Sequence, residues 1–184
     1  KVNGGTTPDW SRRTTCYEEV FAAWSQRADM LVPRMYPAVG VVNNTLFVAG
    51  GATVNYEVTA SVEKYDFHAD AWAKVAEIPA PVAAATAGVV VSVNGALLLL
   101  TTGGLTAVSP VGKPIATVSE YDGAPPWWAP APPLATARVH HGVAVLGNGT
   151  AAGGACRLYV VGGTTNGDPS MSDGALMSVE VFVV

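Results

Sequence analysis

The stretch 43–51, NNTLFVAGG, places two asparagines before an apolar run that ends on the paired glycines Gly50 and Gly51. Leucine, phenylalanine and valine favour a β-strand, and asparagine tolerates the positive φ of a tight hairpin turn. The glycine pair occurs three more times, at intervals of 46, 53 and 59 residues, at Gly4 and Gly5, Gly103 and Gly104, and Gly162 and Gly163. A recurrence of this period indicates a repeat architecture.

Aromatic residues follow the glycine pairs at a second fixed spacing. Tyr65 precedes Trp72, and Tyr121 precedes Trp128, by seven residues in both cases. Ten residues after each tryptophan the copies carry, in chain order, Arg34, Val82 and Arg138. Agreement at several offsets indicates that the units share one three-dimensional plan.

The first and last copies depart from this spacing. In the last copy, SVEVF at 178–182 places Phe182 at the tyrosine position. In the first copy, matching EVF at 19–21 to the same position leaves Phe21 only three residues before Trp24, instead of seven. We therefore expect about four residues to be missing between them, and the chain to be part of a longer polypeptide.

Each unit contains four short strand-like runs. In the best-formed unit they are AVGVV at 38–42, TLFVA at 45–49, SVEKYD at 61–66 and AWAKVA at 71–76. No capped segment with a period of 3.6 residues occurs, and prolines mark the joints between units. The glycines allow the backbone to turn sharply after the second strand, and the large tyrosine and tryptophan rings are expected to pack one unit on the next.

The paired glycine, the tyrosine and the tryptophan seven residues later resemble the motif of the kelch family. The resemblance implies an all-β fold, a kelch-type β-propeller with about three and a half four-stranded blades, as part of a propeller of six or seven blades. The expected units are a partial blade at 1–32, blades at 33–80 and 81–133, and a blade without its last strand at 134–184.

Composition excludes some partners and favours a compartment. With 13% charged residues and a net charge of −4, the chain has no electrostatic signature of nucleic-acid binding, and no apolar window is long enough to suggest membrane insertion. Sequons at Asn43 and Asn148 occupy equivalent hairpin turns, where a glycan is expected to fit. Few lysines and a surface rich in threonine, alanine and proline favour an extracellular or cell-surface location over the cytoplasm, although codon bias would also explain this composition. Cys16 and Cys156 are expected to be free thiols.

Catalytic constellations are not identifiable, so we predict neither an enzyme nor a cofactor. The three histidines have no metal-type spacing, and His141 lies where kelch units place a packing histidine. The carboxylates Glu63, Glu120 and Glu180 recur near the third strand and indicate repeat architecture rather than acid–base chemistry. The alternative is a copper enzyme similar to galactose oxidase, for which the adjacent Cys16 and Tyr17 are the feature to consider.

The resemblance implies a binding face formed by the loops after the glycine pairs and by the joints between units. The candidate residues are Arg34, Tyr36, Thr53, Asn55, Thr106, Arg138, His140, Thr164, Thr165 and Asn166. We therefore expect a non-enzymatic protein-interaction or scaffold module, whose partners are other proteins or further copies of itself. A cell-surface glycan-binding propeller is a further alternative.

Overall fold

The computed structural model describes residues 12–18, 22–91, 96–108, 112–123, 127–147, 156–166 and 174–183. Four residues of the sequence predictions, Gly4, Gly5, Phe21 and Asn148, lie outside these ranges. The described residues form thirteen β-strands and no helix. None of their segments is a helix that could span a membrane. The prediction of an all-β fold is confirmed.

The strands form four antiparallel sheets in chain order. A two-stranded sheet contains β1 (Thr14–Glu18) and β2 (Ala23–Arg27). Two four-stranded sheets follow, the first with β3 (Ala38–Val42), β4 (Thr45–Ala49), β5 (Val62–Asp66) and β6 (Ala71–Val75), the second with β7 (Thr86–Val91), β8 (Leu97–Thr102), β9 (Val118–Tyr121) and β10 (Trp128–Ala131). The last sheet contains β11 (Gly142–Leu146), β12 (Arg157–Val161) and β13 (Val179–Val183).

Four consecutive antiparallel strands in each complete sheet fit the blades of a kelch-type propeller. The expected unit 33–80 contains the first complete sheet, and 81–133 contains the second. The exact unit boundaries and the total number of blades stay predictions. The turn between β3 and β4 has the expected geometry, because Asn43 and Asn44 have φ values of 47° and 58°.

The sheets pack face to face through small residues of their first strands. Gly40 of β3 lies against Val89 and Leu99 of the next sheet. Gly88 of β7 lies in the same way against Val145 of the last sheet. Glycine allows this approach because a side chain at either position would fill the space that the neighbouring sheet occupies.

The tyrosine and tryptophan pair joins each sheet to the one before it. Tyr65 lies opposite Trp72, and Tyr121 lies opposite Trp128, with ring centroids 5.1 and 5.3 Å apart. The indole Nε1 of Trp72 donates to the carbonyl of Ala28 at 2.9 Å, and that of Trp128 donates to the carbonyl of Ala76 at 3.0 Å. The tryptophans therefore combine apolar packing with a hydrogen bond between units.

The first sheet corrects the alignment made from the sequence. Tyr17 lies opposite Trp24, with ring centroids 5.4 Å apart, so this pair repeats the geometry of the two later pairs. Tyr17 and Trp24 are seven residues apart. The tyrosine position is therefore held by Tyr17 and not by Phe21. The prediction that about four residues are missing between Phe21 and Trp24 was wrong, because it aligned the wrong aromatic residue.

In the three glycine pairs that the structure describes, the second glycine lies where no side chain fits. Gly51, Gly104 and Gly163 have φ values of 96°, 110° and 91°. A Cβ atom at each position would lie 2.7 Å from a carbonyl oxygen in the joint that precedes the same unit, on Met35, Ala83 and Val139 respectively. The pairs therefore mark the point where the second strand leaves the sheet and passes closely over the joint between units.

Removal of a buried tryptophan should cost far more stability than removal of an exposed one. Trp72 is 8% exposed and hydrogen-bonded to the neighbouring unit, so Trp72→Ala should lower the free energy of unfolding by about 3–5 kcal/mol. The matched control is Trp24→Ala. Trp24 packs on Tyr17 as Trp72 packs on Tyr65, but Trp24 is 71% exposed. Urea unfolding followed by circular dichroism measures both, and equal losses would contradict the assigned role of Trp72.

Candidate binding site at the entrances of the first strands

Three residues with left-handed backbone precede the first strands of successive units. Tyr36, Ala84 and His140 have φ values of 53°, 54° and 56°. The residue before each of them pairs with the residue after a glycine pair, in the bridges Met35 to Ala52, Ala83 to Leu105 and Val139 to Thr164. Each joint is thus held beside the loop that follows the glycines. In these three units the joint and the loop after the glycine pair therefore lie side by side.

The rings of Tyr36 and His140 meet at this end of the sheets. Their centroids are 6.4 Å apart, and the ring planes lie at 80° in an edge-to-face arrangement. Ala84 occupies the equivalent position in the unit between them, and its backbone N–H donates to the carbonyl of Tyr36 at 2.8 Å. Tyr36 is 52% exposed, and His140 is also exposed. Two units that are not adjacent in sequence therefore present one composite aromatic surface.

The polar loop residues divide into exposed and inward-facing groups. Asn55, Thr106 and Thr165 are exposed beside the joints. Thr164 is buried, and its hydroxyl donates to Asn166 Oδ1 at 2.6 Å. The hydroxyl of Thr53 is also buried, and among the described residues it has no hydrogen-bond partner. The available polar groups of this surface are therefore fewer than the sequence predicted.

Arg34 does not belong to this surface. It is buried, and its guanidinium donates to the carboxylate of Glu63 at 2.5 Å and to the carbonyls of Gly50 and Ser61. Glu63 also accepts hydrogen bonds from the backbone of the joint, at Leu31 and Val32. The arginine expected in the binding face is instead a structural cation that ties the joint to the third strand.

Arg138 repeats this arrangement in the last unit and requires the same correction. Its side chain is buried and pairs with Glu180, while it also donates to the carbonyl of Gly162. Glu180 accepts hydrogen bonds from the backbone N–H groups of Ala135 and Thr136. Burial alone would raise the pKa of Glu180, but these hydrogen bonds and the guanidinium hold that pKa below its ordinary value.

The middle unit replaces the whole ion-pair network at once. Val82 takes the arginine position, and Ser119, two residues before Tyr121, takes the glutamate position. Pro79 takes the position of Leu31 and has no N–H to satisfy. Glu120, which the sequence analysis grouped with Glu63 and Glu180, therefore lies one residue out of register. The middle unit lacks the arginine and the glutamate together. Their simultaneous absence was the sequence signal for their pairing, and the sequence analysis missed it.

The ion pair predicts a specific pattern of stability. Arg34→Val should lower the free energy of unfolding by about 3–5 kcal/mol, because it leaves Glu63 buried without its cation. Adding Glu63→Ser to that variant should restore part of the loss, since it copies the pair Val82 and Ser119 of the middle unit. Chemical denaturation of both variants tests this, and a double variant less stable than Arg34→Val would contradict it.

His141 is a packing residue behind the exposed His140. Its Nε2 lies 2.8 Å from the hydroxyl of Thr102, and that hydroxyl also donates to the carbonyl of Thr86. Nε2 is therefore hydrogen-bonded to Thr102, whereas Nδ1 is buried with no hydrogen-bond partner among the described residues. Burial, together with the nearby charge of Arg138, lowers the pKa of His141 to about 4.

Stability should fall in acid through His141. The unfolded chain takes up this proton near pH 6.5 and the folded chain only near pH 4, so the contribution is complete above pH 6.5 and is lost as the pH falls towards 4. The expected slope is at most about 1.4 kcal/mol per pH unit. Urea unfolding between pH 7 and pH 4.5 should show a smaller slope for His141→Gln than for the parent. His68→Gln, at an exposed histidine, is the control and should follow the parent.

The feature considered for the copper alternative lies in β1. The described residues contain no group of three or more histidine, cysteine, aspartate or glutamate side chains that could hold a metal ion. Cys16 and Tyr17 are consecutive in β1, so their side chains lie on opposite faces of the sheet. Cys16 and Cys156 are both free thiols, as expected.

Comparisons with known proteins agree with the repeat geometry. A family model described as the Kelch motif matches residues 33–79. Beta-scruin of Limulus polyphemus is 35% identical over 83 residues, which are 45% of this chain and 8% of that protein. Alpha-scruin of the same organism is 41% identical over 58 residues, 32% of this chain and 6% of that protein.

A plant relative extends this similarity. The F-box/kelch-repeat protein SKIP30 of Arabidopsis thaliana is 34% identical over 76 residues, 41% of this chain and 22% of that protein. The chain thus spans less than a quarter of the length of each of these relatives. The chain therefore contains a kelch motif at residues 33–79, and its repeated four-stranded sheets are similar to those expected of kelch-repeat proteins.

Proposed function

We propose that the chain is a non-enzymatic protein-interaction or scaffold module that binds its partner at the surface of Tyr36 and His140. The observation that carries this proposal is the edge-to-face contact of two exposed rings from different units. Partly exposed aromatic residues on a rigid support lose little conformational entropy on binding and frequently dominate the energy of protein interfaces. The kelch motif and the kelch-repeat relatives support an interaction module of this kind.

The rigidity of this surface comes from the backbone beneath it. Tyr36 and His140 follow bridges to Ala52 and Thr164, so each ring is carried by paired backbone rather than by a free loop. Their left-handed φ values are held in place by the surrounding units. The two rings are therefore positioned before a partner arrives, which reduces the ordering cost of binding.

The chemistry of the surface favours an uncharged partner segment. Both arginines that would have selected an acidic peptide are buried in ion pairs. The exposed groups beside the rings are the hydroxyls of Thr106 and Thr165 and the amide of Asn55. Apolar and aromatic side chains with nearby hydrogen-bonding backbone match these groups. The partner is therefore proposed to be an exposed protein segment, on another protein or on a further copy of the chain.

A glycan at Asn43 is compatible with this proposal. Asn43 is exposed in the turn between β3 and β4, at the opposite end of the strand from Tyr36. A sugar there would leave the proposed binding surface free, and it would place the protein outside the cell. Mass measurement before and after enzymatic release of N-linked glycans tests this, and a sequon peptide found only without sugar would contradict it.

Selection from a displayed library of random peptides tests the binding proposal. Peptides selected on the parent chain should bind the double variant Tyr36→Ala, His140→Ala at least about tenfold more weakly, the loss expected for two contact residues. Leu146→Ala is the matched control, because Leu146 is 60% exposed at the far end of β11. Equal binding to all three proteins would overturn the proposed surface without bearing on the fold.

A further inference from the structure

A groove lies at the end of the first complete sheet where β3 turns into β4 and β5 turns into β6. Both turns lie at this end because the four strands are antiparallel. The groove holds about 660 Å³ of space not filled by protein atoms, a volume in the range of small-molecule sites, roughly 300–1,000 Å³. Its lining includes Asn43, Asn44 and Thr45 on one side and Lys64, Asp66 and Phe67 on the other.

The first wall of the groove is the sequon Asn43-Asn44-Thr45. Asn43 and Asn44 form the two-residue turn, with φ values of 47° and 58°, and Val42 pairs with Thr45 beside it. Asn43 is exposed in this turn. A sugar attached to Asn43 would therefore start from a fixed backbone position at the rim of the groove.

The opposite wall carries the half-exposed ring of Phe67. Phe67 is 49% exposed, and its ring meets that of Tyr65 edge to face, with centroids 4.9 Å apart and ring planes at 82°. The turn that contains Phe67 is fixed by Asp66, whose carboxylate accepts hydrogen bonds from the backbone N–H groups of His68 at 2.8 Å and Ala69 at 3.1 Å. One part of the ring is thus held against the sheet, and the rest faces the groove and solvent.

The next unit lacks both the sequon and the ring. Its first turn contains Asn94-Gly95-Ala96, which has no serine or threonine at the third position. Gly123 lies two residues after Tyr121, where the first complete unit has Phe67 two residues after Tyr65. The sequon and the ring are thus present together in one unit and absent together from the next. The ring is therefore matched to the sequon and not to the repeat.

We propose that Asn43 carries an N-linked glycan whose first N-acetylglucosamine lies in this groove with its apolar face on the ring of Phe67. This inference rests on the glycan proposed above and adds a binding site for its first sugar. Attachment forms a bond between Nδ2 of Asn43 and the anomeric carbon of that sugar. The bond from this carbon to the diphosphate of a lipid-linked oligosaccharide breaks, the diphosphate leaves with the electron pair, and the amide gives up one proton.

The chemistry of the groove fits both parts of a sugar ring. A pyranose has an apolar face of C–H groups and an edge of hydroxyl and acetamido groups. Phe67 offers an apolar surface to the face, and the exposed ammonium of Lys64 and imidazole of His68 offer hydrogen-bonding groups to the edge. Because the sugar is covalently attached, this contact is intramolecular, so a weak interaction is enough to hold the sugar in the groove.

The stability of two glycoforms tests the contact. The variant Asn148→Gln retains only the sequon of Asn43 and is prepared in two forms, secreted and trimmed to one N-acetylglucosamine, or made in bacteria without sugar. The sugar should raise the midpoint of thermal unfolding by about 2–4 °C. Equal midpoints would overturn the contact and leave the glycan proposal standing. An Asn43 peptide found only without sugar in protein from the native source would overturn both.

A variant of the ring locates the sugar. Adding Phe67→Ala should remove the difference between the two forms, and any stability that the variant itself loses cancels in this comparison. Leu146→Ala, at a 60% exposed apolar residue of the last sheet, is the matched control and should keep the full difference. In the trimmed form, NMR should show ring-current shifts of the sugar C–H protons that disappear with Phe67→Ala. A midpoint difference or sugar shifts unchanged by Phe67→Ala would overturn the proposed site.

Discussion

The hydrogen bond from one unit's tryptophan to the preceding unit's backbone is the constraint on which the structure depends. Trp72 reaches Ala28 and Trp128 reaches Ala76, and in both cases the ring also packs on the tyrosine opposite it. An indole buried without a partner would carry an unsatisfied N–H, so its packing position and its hydrogen bond must be satisfied together. This requirement sets the distance and register between successive sheets.

A second constraint is that the polar groups beneath each joint need hydrogen-bond partners. The units meet this need in two ways. Two units use a buried arginine that pairs with a glutamate, and the glutamate also accepts hydrogen bonds from the backbone of the joint. The middle unit uses Val82 and Ser119, and it places Pro79 where a free N–H would otherwise need an acceptor. Replacing every member of such a network with apolar or small residues avoids an unpaired buried charge. The units therefore differ in sequence while they keep one backbone.

The sequence predicted the features that depend on local chemistry. The turn at Asn43 and Asn44, the strands of the first complete unit and the tyrosine opposite Trp72 followed from turn preferences, apolar runs and spacing. It failed in the first unit, where the match of EVF to the third strand placed Phe21 at the tyrosine position. Tyr17 already had the seven-residue spacing to Trp24 of the later pairs, and the pairing of β1 with β2 confirms Tyr17.

The failure at the arginines has a different physical cause. Arg34 and Arg138 lie next to loop residues in sequence, where a charged side chain is ordinarily solvated. Their burial depends on glutamates that lie 29 and 42 residues later, a distance over which no local pattern operates. Tyr36 and His140, by contrast, belong to the predicted binding face, but their contact across Ala84 could come only from the packing of three units.

The residues that fix the backbone are different from the residues exposed on the binding surface. This separation explains how such a repeat can acquire different binding properties. The three joint residues have the same left-handed backbone within a few degrees, yet they carry a phenol, a methyl group and an imidazole. The network that fixes this backbone lies behind them in Arg34, Arg138 and the glycine pairs, none of which needs the exposed side chain. A substitution at Tyr36 or His140 therefore alters the surface without changing the backbone beneath it. This is the condition under which loop positions carry function on a rigid scaffold.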